Sequence, residues 1–364
     1  MFKIIKLLFI NFLVFLFLLI IGFAILEIII SNSEKQTDQK GSLIFDYSLG
    51  WDSYPPIREI GKKNNSSKKI MFVGDSFTHY GKWTYETIKI LNKKIPVEGF
   101  SLGASGFSTI QSYIKLKKHF DNINPDLVIL LFFAWNDMRD NYDQPGIIYS
   151  PNTEVRPYLS SNMSFEKDEI FSDLSWFKKL NIYQEFIIKY KLRINKLIVK
   201  IFGIDFLSKN NIKLNLDYKN EDSWVPFHTK GIENSKYVES AWNITEIVLK
   251  KMNNFIGENN KKFIIIGIDN AFTIDEDVRE VWTDGIPNFD KYKNINILKS
   301  LCKKNNISFI NGLSILEKKK KEISKKIYNY PAGNLSGHLE PEGEQAIADS
   351  LIKFINENKI LEWN

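Results

Sequence analysis

Residues 70–78 read IMFVGDSFT, a run of four apolar residues that ends abruptly in small and polar ones. Four apolar residues are too few for a helix and suit a strand that is covered on both faces. Gly74 permits a tight exit from that strand into a following helix. This interpretation places Ser76 at the end of a buried strand. An ordinary strand-to-helix connection, with Asp75 or Ser76 as the helix N-cap, would explain the same residues.

Beyond this stretch, the chain alternates between predicted apolar strands and predicted amphipathic helices. The predicted strands cover residues 70–73, 97–102, 127–133, 263–268 and 307–310, and the predicted helices cover 83–91, 110–120, 242–256 and 294–304. Each strand lacks the regular apolar–polar alternation of a half-exposed strand and ends in polar or small residues. The pattern predicts an α/β fold with a parallel sheet, helices on both faces and a site beyond the carboxyl edge. Ser76, Gly106 and Asn136 all fall at that edge.

The N-terminal segment is the most apolar part of the chain. Residues 7–30 are broken only by Asn11, Gly22 and Glu27, and this length exceeds the ~20 residues that cross a bilayer. Residues 24–27 offer no convincing small-x-small cleavage site, which favours an uncleaved transmembrane helix over a secretory signal. Because lysines at positions 3 and 6 precede it, we expect a cytoplasmic N-terminus and an extracytoplasmic main domain, in the bacterial periplasm or at the cell surface.

The domain organisation follows from these two features. A chain of 364 residues has room for two average domains or one enlarged α/β domain. We predict a membrane anchor at 1–32, a polar tether with a surface-docking island at 33–67, and an α/β domain at 68–360. A large insertion or lid at about 140–245 interrupts the α/β rhythm. Its aromatic residues would either line a carbohydrate or acyl pocket or simply pack together.

Composition excludes several classes of site. The net charge of +6 comes from scattered lysines, which indicates a solvated face and no nucleic-acid groove. Cys302 is the single cysteine, so the chain can form neither an internal disulfide nor a thiol metal cluster. None of the four histidines forms a His-x-x-x-His pair, and no zinc site is recognisable. We therefore predict no metal and no cofactor; the oligomeric state is not indicated.

A base for a strand-end serine is best sought near residue 338. His338 stands in a predicted loop ahead of a helix that begins near Pro341. A serine hydroxyl needs a general base to become a nucleophile. His338 is the best placed of the four histidines, although a lone loop histidine is more often only a surface residue. His79 and Asp75 are not expected to be bases, and Asp75 is expected to accept hydrogen bonds from the loop backbone.

At this point the residues resemble the SGNH (GDSL-type) esterases and acyltransferases. The four motif blocks of that family are matched, in chain order, by Gly74-Asp75-Ser76, Gly106, Asn136 and His338. The phrases at 136–141 and 337–343 are most similar to the membrane-anchored bacterial branch. The resemblance covers residues 68–140 and 240–355, and it implies a flavodoxin-like three-layer α/β fold.

The resemblance also implies a role for each residue. Ser76 would be the nucleophile and His338 its base. The backbone N–H groups of Ser76 and Gly106 and the side-chain amide of Asn136 would form the oxyanion hole, without metal or cofactor. The supporting residues would be Gly74, Asp75, Asp137 and Ser336.

Two departures from the family pattern affect this expectation. The family carries a carboxylate two or three residues before its histidine, whereas Leu335 and Ser336 stand there. The glycine usual in the third block is Ala134. Ser336, a backbone carbonyl or a distant acid could replace the carboxylate. The site is then a dyad, a triad with an acid from elsewhere, or degenerate.

Three functions remain open on the sequence. The first is an anchored extracytoplasmic serine esterase or O-acyltransferase that acts on O-acyl groups, with acetyl expected, of cell-envelope glycans. The second is a catalytically weak or inactive protein of the same fold that binds a glycan or assists assembly. The third is an anchored structural protein whose motif match is coincidental. Whether the acyl acceptor is water or a sugar is not indicated.

Overall fold

The computed structural model describes residues 2–34, 43–46, 49–61, 67–141, 225–230, 236–283, 288–329 and 337–361. They fall into two compact units, one containing the N-terminal helix and a hairpin and the other an α/β domain. Most of the predicted insertion at 140–245 lies outside the described residues. So do Leu335 and Ser336.

The described part of the first unit consists of one long helix and one hairpin. Helix α1 spans Phe2–Glu34, and strand β1, Leu43–Asp46, pairs antiparallel with β2, Gly50–Ser53. The side chains of α1 are described without a break over residues 9–25, where nearly all are exposed. Within the described residues, no helix is both long and apolar enough to cross a membrane. The anchor over residues 7–30 therefore stays a prediction.

The second unit is built on a six-stranded sheet in the order β3-β5-β4-β6-β7-β8. Its strands are β3 Arg58–Ile60, β4 Lys68–Gly74, β5 Val97–Ser101, β6 Leu127–Phe133, β7 Lys262–Ile268 and β8 Ser308–Asn311. Strands β4 to β8 are parallel, and β3 pairs antiparallel with β5 at one edge. Without β3, the order is that of flavodoxin-like sheets. The predicted α/β fold with a mostly parallel sheet is confirmed. Strand β3 lies in the segment that was predicted to be a tether and docking island.

The helices of this unit connect and cover the strands. They are α2 Ser76–His79, α3 Trp83–Leu91, α4 Thr109–Ile123, α5 Val225–His228, α6 Lys236–Glu258, α7 Ala271–Ile274, α8 Glu276–Thr283, α9 Lys293–Lys304, α10 Gly312–Ile323 and α11 Pro341–Glu357. Helix α11 packs against α3 and α10, and α4 packs against α6. The chain moves in opposite directions along the sheet from β4 to β5 and from β5 to β6. Right-handed crossovers therefore place α3 and α4 on opposite faces.

The centre of the sheet is the core of the unit. Strand β6 is buried along its whole length, and the apolar residues of β4 have no exposed surface. Strands covered on both faces need continuous apolar runs, which is why 70–73 and 127–133 are readable in the sequence. The polar residues that follow β4, β6 and β7 consequently meet at one edge.

Candidate active site

Ser76 lies on a turn that only glycine at position 74 can make. Gly74 has a φ of +145°, and a Cβ there would stand 2.5 Å from Thr78 Oγ1 and 2.7 Å from the carbonyl oxygen of Leu131. The next residue, Asp75, is the N-cap of α2, and its carboxylate accepts a hydrogen bond from Phe77 N at 2.9 Å. This confirms the backbone-bonding role expected for Asp75. Ser76 is thereby fixed as the first residue of α2, with a half-buried side chain.

Asp75 is buried beside another acid. Burial is the main reason why its pKa rises to about 7, and the charge of Asp140 raises it further. The backbone N–H groups of Phe77, Asp75 and Ser76 stabilise the carboxylate and act against that rise.

His338 packs directly on the turn that begins with Ser76. Its ring centroid lies 4.9 Å from that of Phe77 and 5.4 Å from that of Tyr80. Tyr80 N donates to the carbonyl oxygen of Ser76 at 2.8 Å, which closes the turn. Ser76 and Tyr80, four residues apart, lie on the same face of this turn. The His338 ring therefore lies against the turn that Ser76 begins.

A small hairpin holds the histidine in place. Strand β10, His338–Leu339, pairs antiparallel with β9, Tyr328–Asn329. The Tyr328 ring packs edge-on against Phe77 at 6.3 Å, and its hydroxyl donates to the carbonyl oxygen of Asp269 at 2.6 Å. His338 was predicted to lie in a loop, and the structure instead makes it the first residue of a two-residue strand. Its position is thus fixed by contacts on two neighbouring elements.

The imidazole of His338 is suited to accept a proton. Its Nε2 is buried and has no hydrogen-bond partner, so no bond to the Ser76 hydroxyl is formed in this structure. Burial lowers the pKa of the ring, which favours the neutral form. Catalytic hydrogen bonds in ligand-free sites are often long and tighten with substrate.

No described carboxylate contacts the His338 ring. Burial is the one cause of its lowered pKa, without a partner charge. Glu344, on the helix that follows, is engaged elsewhere, because its Oε2 accepts a bond from Lys82 N at 2.6 Å. Leu335 and Ser336, where the resemblance would place the acid, lie outside the described residues. The three alternatives of a dyad, a triad with an acid from elsewhere and a degenerate site thus remain.

Asn136 lies in a turn whose own residues hydrogen-bond to one another. Its side chain is buried, and Nδ2 donates to Asp140 Oδ2 at 3.4 Å. Asp137 closes the same turn, because its Oδ2 accepts a bond from Phe133 N at 3.0 Å. Both contacts hold the turn that carries Asn136.

The backbone of that turn is also fixed from neighbouring elements. Ala134 N donates to the carbonyl oxygen of Ile268 at 2.8 Å, and Ala134 O accepts from Asn294 Nδ2 at 2.9 Å. Ala134 is fully buried. An alanine in place of the family's glycine is therefore accommodated without exposing or opening the turn.

Gly106 lies in the loop between β5 and α4. Its φ of +71° is in the left-handed region that favours glycine. The same loop is anchored beside the exit of β4, since Ala104 N donates to the carbonyl oxygen of Gly74 at 3.4 Å. At its far end Ser108 and Gln111 form a capping box that starts α4. Gly106 therefore lies at the same sheet edge as Ser76.

Two charged residues near the site were not identified from the sequence. Arg58 Nη2 donates to Gly81 O at 3.3 Å and to Thr84 Oγ1 at 3.1 Å. Glu344 binds Lys82 N, and burial raises the pKa of its carboxyl to about 7. Both hold the segment after α2 in place. No local signal marks them, because each contact joins residues far apart in the chain.

A second histidine-aspartate pair is present but fully buried. His228 Nε2 lies 3.1 Å from Asp269 Oδ2 and 3.0 Å from Asn294 Nδ2, and its ring packs between Phe272 and Phe289. Neither member of the pair is exposed. We assign this pair to the stability of the sheet edge. His79 has a pKa lowered to about 4, mainly by burial, and it remains assigned to no catalytic role.

Comparison with known proteins gives matches among solved structures alone. No family model and no curated protein matches the sequence. Among the described residues, no group of three or more His, Cys, Asp and Glu side chains could hold a metal ion.

The similar structures include proteins named as esterases, acylhydrolases and lipases. An acetylxylan esterase from Geobacillus stearothermophilus is 12% identical, with a TM-score of 0.38 over 83% of this chain and 98% of that one. A GDSL-like lipase from Bacteroides thetaiotaomicron is 13% identical, with a TM-score of 0.37 over 82% and 92%. A protein proposed to be an acylhydrolase, from Bacteroides fragilis, is 13% identical, with a TM-score of 0.39 over 82% and 91%. Similarities this weak carry no argument about the reaction or the substrate.

Proposed function

We propose that this chain is a serine esterase or O-acyltransferase of the SGNH type. One observation carries the proposal: the His338 ring packs on the turn that Ser76 begins, with its Nε2 buried and without a hydrogen-bond partner. A neutral imidazole with a free nitrogen beside a strand-end serine is the arrangement that nucleophilic acyl transfer requires. The order of the four motif blocks supports the same reading.

The reaction would proceed through an acyl-enzyme. His338 removes the Ser76 hydroxyl proton while Oγ attacks the ester carbonyl carbon, which gives a tetrahedral oxyanion. The N–H groups of Ser76 and Gly106 and the amide of Asn136 would donate to that oxyanion. The C–O bond to the alcohol then breaks, and His338 returns the proton to the leaving oxygen. Water or a second hydroxyl completes the cycle by attacking the acyl-serine.

The proposed substrates are O-acyl groups, with acetyl expected, on cell-envelope glycans. In this proposal residues 7–30 anchor the protein in the cytoplasmic membrane, with the α/β domain outside. The length of that largely apolar segment and the lysines before it support this location. An enzyme tethered there would meet envelope polysaccharides.

Hydrolysis of p-nitrophenyl acetate tests the reaction. We expect turnover by the wild-type protein and its loss in Ser76→Ala and His338→Ala, because each removes one partner of the proton transfer. Ser308→Ala, an exposed serine on β8, is the matched control and should retain full activity. Absence of turnover, or turnover unchanged in Ser76→Ala, would sink the enzyme proposal.

The second candidate is a catalytically weak glycan-binding protein of the same fold. The observation that favours it is the lack of any described carboxylate on His338, since loss of a triad acid can lower the rate by up to ~10⁴. Binding of an acetylated glycan with equal affinity to wild-type, Ser76→Ala and His338→Ala proteins, without turnover, would establish this alternative.

A further inference from the structure

An asparagine in an oxyanion hole must present the correct end of its amide. The two ends have nearly the same shape but opposite hydrogen-bonding character. With Nδ2 towards the substrate, Asn136 donates to the oxyanion; after a flip, its oxygen would repel the same charge. The proposed function therefore needs a contact that distinguishes the two ends.

Asp140 makes that contact. Its Oδ2 lies 3.4 Å from Asn136 Nδ2, at the long end of the hydrogen-bond range, and both side chains are buried. An ionised carboxylate is an acceptor only, so it attracts the amino end of an amide and repels the carbonyl end. Asn136 Oδ1 is itself buried without a hydrogen-bond partner, so no bond at the carbonyl end competes with this selection.

The Asp140 carboxylate is itself held in place. Asp140 N donates to the carbonyl oxygen of Asn136 at 2.8 Å, which sets the two residues one turn apart. Its Oδ1 accepts from Arg139 Nε at 3.0 Å, and that guanidinium lies over the Trp135 ring at 5.2 Å.

Asn141, the residue after Asp140, fixes the turn that follows β6 to two neighbouring helices. Asn141 Oδ1 accepts from Ile110 N at 3.0 Å, and Asn141 Nδ2 donates to Thr245 Oγ1 at 3.1 Å. These bonds join the segment to α4 and α6. A carboxylate on such a support can impose an orientation on its neighbour instead of adapting to it.

We propose that Asp140 is a positioning residue that fixes the amide of Asn136 with one N–H on the Asp140 carboxylate and the other free for the oxyanion. This inference rests on the proposed function, and it assigns Asp140 no contact with the substrate.

Ester hydrolysis by single and double variants tests the kinetic consequence. Asp140→Asn replaces an obligate acceptor by a group that can also donate, so the amide orientation is no longer imposed. We expect kcat to fall roughly 10- to 100-fold with KM nearly unchanged, against the ~10²- to 10³-fold loss typical of removing an oxyanion donor. In an Asn136→Ala background, Asp140→Asn should cause no further loss. Asp126→Asn, which lies before β6 at the opposite sheet edge, is the control and should have wild-type kinetics.

A measurement without turnover keeps this inference separate from the proposed function. In full-length protein labelled with ¹⁵N-asparagine, the side-chain amide pair of Asn136 is assigned by its absence in Asn136→Ala. We expect this pair to shift in Asp140→Asn and to be unchanged in Asp126→Asn. If the wild-type protein showed no turnover, the proposed function would fail, but the NMR measurement would still test the contact between Asp140 and Asn136. An unshifted amide pair, or additive losses in the double variant, would overturn the role of Asp140.

Discussion

Gly74 and Asp75 direct the Ser76 side chain by different means. Gly74 supplies a φ of +145° that a side chain would oppose, and Asp75 caps the turn with a bond to Phe77 N at 2.9 Å. Backbone strain and capping both act before any substrate arrives. The nucleophile position is thus a property of the folded chain.

Substitution of Gly74 by alanine tests the first of these effects. The new Cβ would stand 2.5 Å from Thr78 Oγ1 and 2.7 Å from Leu131 O, so either the turn or β6 must shift. We expect Gly74→Ala to lower the free energy of unfolding by at least ~2 kcal/mol, measured by chemical denaturation. In Gly257→Ala, a Cβ would meet nothing within 4 Å on α6, and we expect unchanged or slightly higher stability. Equal stabilities of the two variants would contradict this account.

The half-buried His338 ring predicts the pH dependence of hydrolysis. Burial lowers the pKa of His338 from 6.5, and the reaction needs the neutral ring. We therefore expect kcat/KM to rise with pH through an inflection below 6.5 and to level off above it. Asp75→Asn should keep this inflection and lose less activity than His338→Ala. An inflection above 6.5 in both the wild-type and Asp75→Asn proteins would show that His338 is not the base in this environment.

At the scale of elements, continuously apolar strands were predictable and short polar ones were not. The predicted runs at 127–133 and 263–268 match β6 and β7 within one residue, because strands buried on both faces need no alternation. Strand β3 reads Arg-Glu-Ile, and its strand geometry depends on pairing with β5. The same holds for β10, where two residues become a strand by pairing with β9.

Helix α11 follows His338 in the chain, and its Glu344 accepts a hydrogen bond from Lys82 N in the segment after α2. Burial raises the pKa of Glu344 to about 7, above its ordinary value of 4.5. The folded protein therefore holds this proton more tightly than the unfolded chain, and stability falls as pH rises from 4.5 to about 7. We expect Glu344→Gln, which keeps an acceptor for Lys82 N, to reduce this fall and to be more stable than wild type above pH 7.

Thermal unfolding midpoints across that pH range provide the measurement. Glu357→Gln, an exposed residue of the same helix, should follow the wild-type curve. If the midpoints of Glu344→Gln ran parallel to those of the wild-type protein, the burial cost assigned to the Glu344 carboxylate would be refuted.

At the scale of the whole molecule, the sequence predicted which edge of the sheet carries the site, but it did not predict the contacts that hold the site in place. Ser76, Gly106 and Asn136 were predictable because each follows a recognisable buried strand. Asp140 could have been found from its i, i+4 spacing to Asn136. Arg58 and Glu344 could not, because their contacts join distant parts of the chain, and pairwise chemistry alone does not say which distant residues meet.

The predicted anchor is a whole-molecule property that fractionation can test. We expect the full chain to stay with membranes in alkaline carbonate and to require detergent for release. A variant that lacks residues 2–32 should be recovered in the soluble fraction with its esterase activity retained. Release of the full chain by carbonate would argue against an integral anchor.

Covalent labelling of the nucleophile tests the central claim most directly. Diisopropyl fluorophosphate phosphorylates serines that are activated by a neighbouring base. We predict that intact-mass and peptide analysis of treated wild-type protein will show one diisopropylphosphoryl group, on Ser76, and that Ser76→Ala and His338→Ala will remain unlabelled. An unlabelled wild-type protein, or equal labelling of wild-type and His338→Ala proteins, would contradict the assignment of Ser76 and His338 as nucleophile and base.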